Sequence, residues 1–343
     1  MKLFPGIIAV LAFLLTGITP VAQVKTVDAP GLTVKDMNAS VKFYSEVLGF
    51  KKISDDEYAG EEYEKLEGIF GLHIRVVRLQ LGDEQIELTD YLTGGGRSIP
   101  EDMHSNDLYF QHIAIVVSDM DKAYQHLRKY MVMDVSTAPQ TLPATNIAAA
   151  GIKAFYFHDP DMHNLELIYF PKGKGQAKWR PESYKRDSKG KLFLGIDHTA
   201  IAVSNTDRSL QFYEGLLGVM RKGDSWNMGM EQAHLNNIEG ASLHITGLGA
   251  ASGPGIEFLQ YLKPGAGKPF PNDSKADDIW YWQTTLVVDD AEALYKKLKA
   301  ANASFVSKNL VGIKTNNTNN KSFIVKDPDG HAMLILEKMK SGR

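Results

Sequence analysis

FYSEVLGF, residues 43–50, returns almost unchanged as FYEGLLGV, residues 212–219. The offset persists along the chain. Asp36 falls on Asn205, Leu72-His73-Ile74 on Leu243-His244-Ile245, and Glu87 on Glu257. Gly94, Gly96, Arg97, Pro100 and Asp102 fall on Gly265, Gly267, Lys268, Pro271 and Asp273. A near-constant shift over such a span marks a duplicated domain, and 343 residues suit two domains of ordinary size.

Each copy divides again. GLTVKDMNASVKFYSEVL (31–48), QHIAIVVSDMDKAYQHL (111–127), HTAIAVSNTDRSLQFYEGLL (198–217) and QTTLVVDDAEALYKKLKA (283–300) share one layout. An apolar strand runs into an Asp, Asn or Ser turn that can cap a helix, and an amphipathic helix follows. Further strand-like runs come after each helix: IRVVRLQLG with EQIELTDYL, IKAFYFHDP with LELIYF, SLHITGLG with GIEFLQYL, and KSFIVKDPDGHAMLILE. Asp-Pro-Asp at 159–161 and 327–329 breaks the last pairs into hairpins. The unit is strand-helix-strand-strand-strand, four times over.

These features predict an α+β protein. Modules 24–93 and 108–170 form a first domain over 24–170, and modules 194–263 and 278–338 a second over 194–343. The polar, Lys-rich stretch 171–193 between them reads as a linker.

Composition narrows the function. A net charge of −3 gives no basic field for nucleic acid. The absence of cysteine removes disulfides, thiolate metal sites and cysteine nucleophiles. At the N-terminus Lys2 precedes an apolar run from Ile7 to Leu15, about 14 Å as a helix and too short to span a bilayer of about 30 Å. Pro20-Val21-Ala22 then offers a cleavage site. Residues 1–22 are expected to be an export signal, which places the protein in the periplasm or outside the cell, with no membrane association after cleavage; the alternative is an uncleaved membrane anchor, since Phe4 to Ala22 carries no charge.

Phe-Tyr-x-x-x-Leu-Gly after each odd helix, Asp-His-x-Ala-Ile-x-Val at 197–203, and the DPDMHNLEL and DPDGHAMLI stretches resemble the vicinal oxygen chelate superfamily, which includes glyoxalase I, epimerases, extradiol ring-cleaving dioxygenases and resistance proteins. The resemblance covers about residues 26–338. It implies that modules pair into two open-barrel cups, each able to hold a divalent metal with ligands from the first and last strand of each module. Side chains on alternate strand positions face one side, so facing sheets aim four residues at one point.

With neighbouring modules paired, the first domain offers Glu87, His112 and Glu166, with Ala29 where a fourth ligand would stand. The second offers His198, Glu257 and Gln283, with Leu334 at its empty position. The metal implied is Zn, Ni, Mn or Mg, or Fe(II) for oxygen chemistry. Glu87, Glu166 and Glu257 are the candidate proton carriers. A carboxylate in an apolar strand needs a partner. That partner is either a metal or a cation such as Arg75 or Arg78. Arg97 and Lys268, at matching places in the Gly-rich connectors, are candidates for holding a substrate carboxylate, and solvated loop charges otherwise.

Neither three-residue set contains two histidines and one carboxylate, the pattern of non-haem iron oxygen chemistry. The resemblance therefore implies a metal-dependent lyase or isomerase that works on a small oxygenated substrate through an enediolate. Two alternatives stay open: a ring-cleaving dioxygenase, and a metal-free protein that sequesters a small molecule. Export would make a glutathione adduct a less suitable substrate.

Overall fold

The computed structural model describes residues 24–180, 190–315 and 318–338. The expected export signal lies outside the described residues. Among the described residues no helix is long and apolar enough to cross a membrane.

Module one contains β1 (Val24–Val34), α1 (Met37–Lys42), β2 (Lys51–Ala59), α2 (Glu61–Glu67), β3 (His73–Leu81) and β4 (Glu84–Tyr91). Module two contains β5 (Gln111–Val117), α3 (Met120–Lys129), β6 (Gln140–Thr141), β7 (Lys153–His158) and β8 (Asn164–Tyr169). Module three repeats the first: β9 (Phe193–Ala202), α4 (Thr206–Leu210), β10 (Met220–Met228), α5 (Met230–Asn236), β11 (Ser242–Gly249) and β12 (Gly255–Lys263). Module four has β13 (Trp282–Val288), α6 (Ala291–Ala300), β14 (Ser304–Phe305), β15 (Val311–Thr315), β16 (Thr318–Lys326) and β17 (Ala332–Glu337).

The four first helices start where the sequence places their caps. Asp36, Asp119, Asn205 and Asp290 each accept a hydrogen bond from a first-turn backbone N–H. In the two quoted phrases the helix continues as a wider π turn. This buries Tyr44 and Tyr213, whose hydroxyls donate to Asp159 (3.0 Å) and Asp327 (3.2 Å) in the last hairpin of the following module. The repeated phrase is thus a clasp between consecutive modules. The short helices α2 and α5 were not foreseen; each starts after a glycine at positive φ, Gly60 and Gly229.

The strands form two curled sheets, as expected, but not with the expected partners. One sheet runs β14-β16-β17-β13-β1-β4-β3-β2, with β15 on β16. The other runs β10-β11-β12-β9-β5-β8-β7-β6. Module one is therefore joined to module four through antiparallel β1 and β13, and module two to module three through β5 and β9. Neighbouring modules do meet, through their cores. Tyr44, Leu48, Met120, Leu127 and Phe155 share one apolar cluster; Phe212, Tyr213, Leu294, Phe323 and Ile335 share another. Each module thus packs its helical side on its neighbour in sequence and extends its sheet to the other partner. The cups belong to pairs one–four and two–three, so a division at 171–193 describes the cores and not the cups.

The supposed linker also does more than connect. Trp179 is buried with Ala114, Val116, Ile168 and Leu194, and Lys178 reaches Glu84 at 2.6 Å.

Candidate metal centre

Sheet register fixes which residues are equivalent in the two cups. His198 lies beside Gly255 across β9 and β12, and Glu257 beside Ala200. In the other cup Gly31 lies beside Glu87 across β1 and β4. Ala29 therefore stands where His198 stands. Glu166 lies beside Ala114 across β5 and β8, and Leu334 beside Thr285 across β13 and β17, so Leu334 replaces Glu166 and Gln283 replaces His112.

This pairing overturns the three-and-three division of donors. The cup of modules two and three holds His112, Glu166, His198 and Glu257, with all four positions filled. The cup of modules one and four keeps only Glu87 and Gln283, and both vacancies, Ala29 and Leu334, fall in it.

In the filled cup, His112 Nε2 lies 3.1 Å from Glu166 Oε2 and 3.4 Å from His198 Nε2. His198 Nε2 lies 3.5 Å from Glu166 Oε2 and 3.4 Å from Glu257 Oε2. Donors held by one ion at about 2.0–2.2 Å stand about 2.8–3.6 Å apart along the edges of a tetrahedron or octahedron. His112, Glu166 and His198 are buried as a group whose ligand atoms all lie within 4.8 Å of one another. Asp197 Oδ2 sits 3.1 Å from His198 Nδ1 and is suited to accept its proton, which leaves the Nε2 lone pair facing the other donors. Donor atoms converging in this way are satisfied either by a cation between them or by protons on the histidines. The residues therefore fit a divalent metal.

The titration behaviour reports the same crowding. Burial alone would lower His198, but the charge of Glu257 and the hydrogen bonds of Asp197 and Glu166 hold it well above the usual imidazole value. Burial lowers His112. Burial raises Glu257 to about 7, opposed by His198 and reinforced by Glu166 and Asp197.

Asp197 is itself held. Trp179 Nε1 donates to its Oδ1 at 2.5 Å and Gln176 Nε2 at 3.1 Å. The segment between the repeats thus reaches a candidate ligand histidine through one carboxylate.

The other cup pairs its donors with its own charges. Arg78 Nε donates to Glu87 Oε2 at 2.8 Å and its Nη1 to Asp28 Oδ2 at 2.8 Å; Lys338 reaches Asp28 at 3.0 Å. Arg78 lies opposite Glu87 on β3, and the residue opposite Glu257 on β11 is Gly247. A guanidinium therefore faces the carboxylate in one cup where the other has no side chain, so Glu87 is ion-paired at the edge of a cavity of about 350 Å³ that Gln283 and Leu334 also line. Gln283 donates to Glu67, a carboxyl that burial pushes up to about 7.

Arg97 and Lys268 line neither cup. Arg97 grips Asp278 at 2.7 Å and Asp273 at 2.9 Å and stacks on Trp280; Lys268 bridges Asp102 at 2.6 Å. Both tie the connector after β4 to the one after β12. The approach is close enough that a Cβ on Gly96 would stand 1.6 Å from the Asp277 carbonyl oxygen.

Two cavities open onto the filled cup, of about 450 and 610 Å³, and share Asp197, His198, Lys222, Gly247 and Glu257. Leu142, Ile152, Ile168 and Ile245 line the first; the glycine-rich backbone between β11 and β12 lines the second. Sequence reasoning missed Asp197, Gly247 and Lys222. Only Asp197 left a signal: the same Asp precedes the ligand position in both copies, as Asp28 and Asp197.

Known proteins are similar to the chain in sequence and in fold. Over 332 residues the chain is 24% identical to glyoxalase I of Saccharomyces cerevisiae, covering 89% of this chain and 90% of that protein. Over 146 residues it is 31% identical to a 2-epi-5-epi-valiolone epimerase of Actinomyces, covering 41% of this chain and 77% of that one. Glyoxalase I of Zea mays superposes with a TM-score of 0.59 at 16% identity, over 92% of this chain and 93% of its own, a likeness of fold. The model of the Glyoxalase/Bleomycin resistance protein/Dioxygenase superfamily matches residues 24–167 and 195–335, and the chain belongs to that superfamily.

Proposed function

We propose that the protein is a metal-dependent isomerase or lyase that holds one divalent cation with His112, Glu166, His198 and Glu257 and acts on a small oxygenated molecule. The observation that carries this reading is the convergence of His112, Glu166 and His198, from β5, β8 and β9, at 3.1–3.5 Å, with Glu257 of β12 3.4 Å from His198. Similarity to a glyoxalase I over nearly the whole chain and to an epimerase supports it. With imidazoles as half the donors, Zn, Ni, Mn or Fe(II) suits the set better than Mg.

When bound, the cation supplies Lewis-acid polarisation of a carbonyl oxygen, which acidifies the neighbouring carbon. Glu257 is the carboxylate placed to take that proton. Its side chain is 26% exposed against 6% for Glu166, and its Oε2 meets a single imidazole. A proton held on the Glu257 carboxyl can pass to the adjacent carbon, which makes the net reaction an isomerisation. Glu166, held by both histidines, keeps the donor set in place. The apolar wall of Leu142, Ile152, Ile168 and Ile245 keeps water from the carbon side.

A second reading is strengthened by one observation. His112, His198 and Glu166 do supply two imidazoles and one carboxylate in one cup, so the sequence-based reason against a dioxygenase falls away. Glu257, as a fourth protein donor, leaves fewer open positions and favours proton transfer.

Solvent deuterium exchange separates the two. The protein loaded with Ni, Zn or Mn should incorporate deuterium next to the carbonyl of a 2-oxo aldehyde or 2-oxo acid, and Glu257→Gln should lose about 10²–10⁴ of that rate. Oxygen uptake with catechols that requires Fe(II), with no exchange under any metal, would overturn the proposal.

A further inference from the structure

We infer that Lys222 selects the substrate by charge, holding an anionic oxygen group, carboxylate or phosphate, at the end remote from the reacting carbon. The inference rests on the metal-dependent reading and deepens it.

Lys222 occupies a β-bulge. Arg221 pairs with Leu248 and Gly223 with Gly247, so Lys222 is the extra residue between them. Bulges beside active sites re-aim a side chain. Here the residue borders both cavities that meet at His198 and Glu257. Its stem lies over Gly249: a Cβ at that glycine would stand 3.0 Å from Lys222 Cε. A side chain at position 249 would push the lysine aside.

Charge around the two cavities leaves Lys222 unmatched. A dication balances Glu166 and Glu257. Asp197 is occupied by Trp179, Gln176 and His198. Asp224 is occupied by Arg221, His244 and Thr246. Lys178 is paired with Glu84. Among the described residues the side chain of Lys222, which is exposed, makes no ion pair or hydrogen bond, so it stands as an unpaired ammonium at the mouth of the loaded site. A substrate with a single negative charge complements it.

The other cup provides an internal control. Its bulge falls between Lys52 and Ser54, and the extra residue there is Ile53. Gln80 stands where Gly249 stands, and the nearest guanidinium, Arg78, is already spoken for by Asp28 and Glu87. The free cation accompanies the cup with four donors.

The test uses hydroxamates, whose two oxygens chelate a metal while the tail is varied. The monohydroxamates of succinic, glutaric and adipic acid are compared with alkyl hydroxamates of equal length on the metal-loaded full chain, with metal per chain measured on each sample. At low salt the carboxylate-tailed probe should bind about five- to tenfold tighter at one chain length or more. Lys222→Gln should reduce that preference below about twofold and Lys222→Arg should keep it, at unchanged metal content. No preference at any length in the parent protein, or a preference that survives Lys222→Gln, overturns the inference. Loss of the metal-dependent reading would show separately, as absence of bound metal.

Discussion

Replacing Gly247 by arginine should weaken metal binding by about a hundredfold or more while leaving the fold intact. Gly247 lies opposite Glu257, as Arg78 lies opposite Glu87 in the other cup. The new side chain has room, because a Cβ at Gly247 meets only the Gly223 carbonyl oxygen, at 3.9 Å. If it reproduces the 2.8 Å Arg78–Glu87 contact, and the Glu257 oxygen lies about 2.1 Å from the ion, the guanidinium carbon lies up to about 6 Å from the ion. At an effective dielectric of about 20–40, a unit charge repels a dication at that distance by about 3–5 kcal/mol. Affinity then falls by about a hundredfold to several thousandfold, before counting the loss of Glu257 as a ligand. The assay is competition for Zn(II) or Ni(II) against a chelating indicator, with thermal melting as the check on folding. Gly247→Leu adds bulk without charge and should cost less than about tenfold. A folded Gly247→Arg protein with unaltered metal affinity would refute the argument that Arg78 takes the place of a metal in the first cup.

Two other outcomes follow from neighbouring contacts. Trp179→Phe removes the N–H that holds Asp197 along with part of a buried ring; metal affinity should fall about tenfold in protein that stays folded at the assay temperature, and equal affinity would show that the contact does not orient His198. His163 is buried with Nδ1 2.9 Å from Asp159 and Nε2 2.8 Å from the Ile279 carbonyl oxygen; burial acts to lower its pKa, but the Asp159 charge prevails and raises it. A raised imidazole stabilises the fold fully below the unfolded value of about 6.5 and loses that contribution as pH climbs through the folded value. The destabilisation of His163→Gln, about 2–3 kcal/mol at pH 5.5, should therefore shrink by pH 9 in denaturant titrations; a pH-independent difference would remove the imidazolium from the account.

The repeated units were readable because repetition, caps and strand alternation are local. Asp36, Asp119, Asn205 and Asp290 mark their helices, and the DPD turns mark the last hairpins. Which units share a sheet is not local. Four similar modules have similar edges, and β1 bonds to β13, more than 240 residues away, as readily as a neighbour in sequence would allow. Chain order predicts the shared cores well, since Tyr44 reaches Asp159 and Tyr213 reaches Asp327, but it misassigns the cups. The missed clue was in the donors themselves: pairing modules two and three fills every ligand position and puts both vacancies, Ala29 and Leu334, together. Lys222 was unreadable because its role depends on a bulge, and Trp179 because a single aromatic in a polar stretch gives no periodic signal.

The central claim is that one cup holds a metal and the other holds an arginine in its stead. Anomalous diffraction at the metal edge, with elemental analysis of the same protein, tests it most directly. The account predicts one ion per chain, coordinated by His112, Glu166, His198 and Glu257, with no anomalous peak beside Glu87. An ion bound at Glu87 and Gln283, or full metal content in a His112→Ala, His198→Ala double variant, would contradict it.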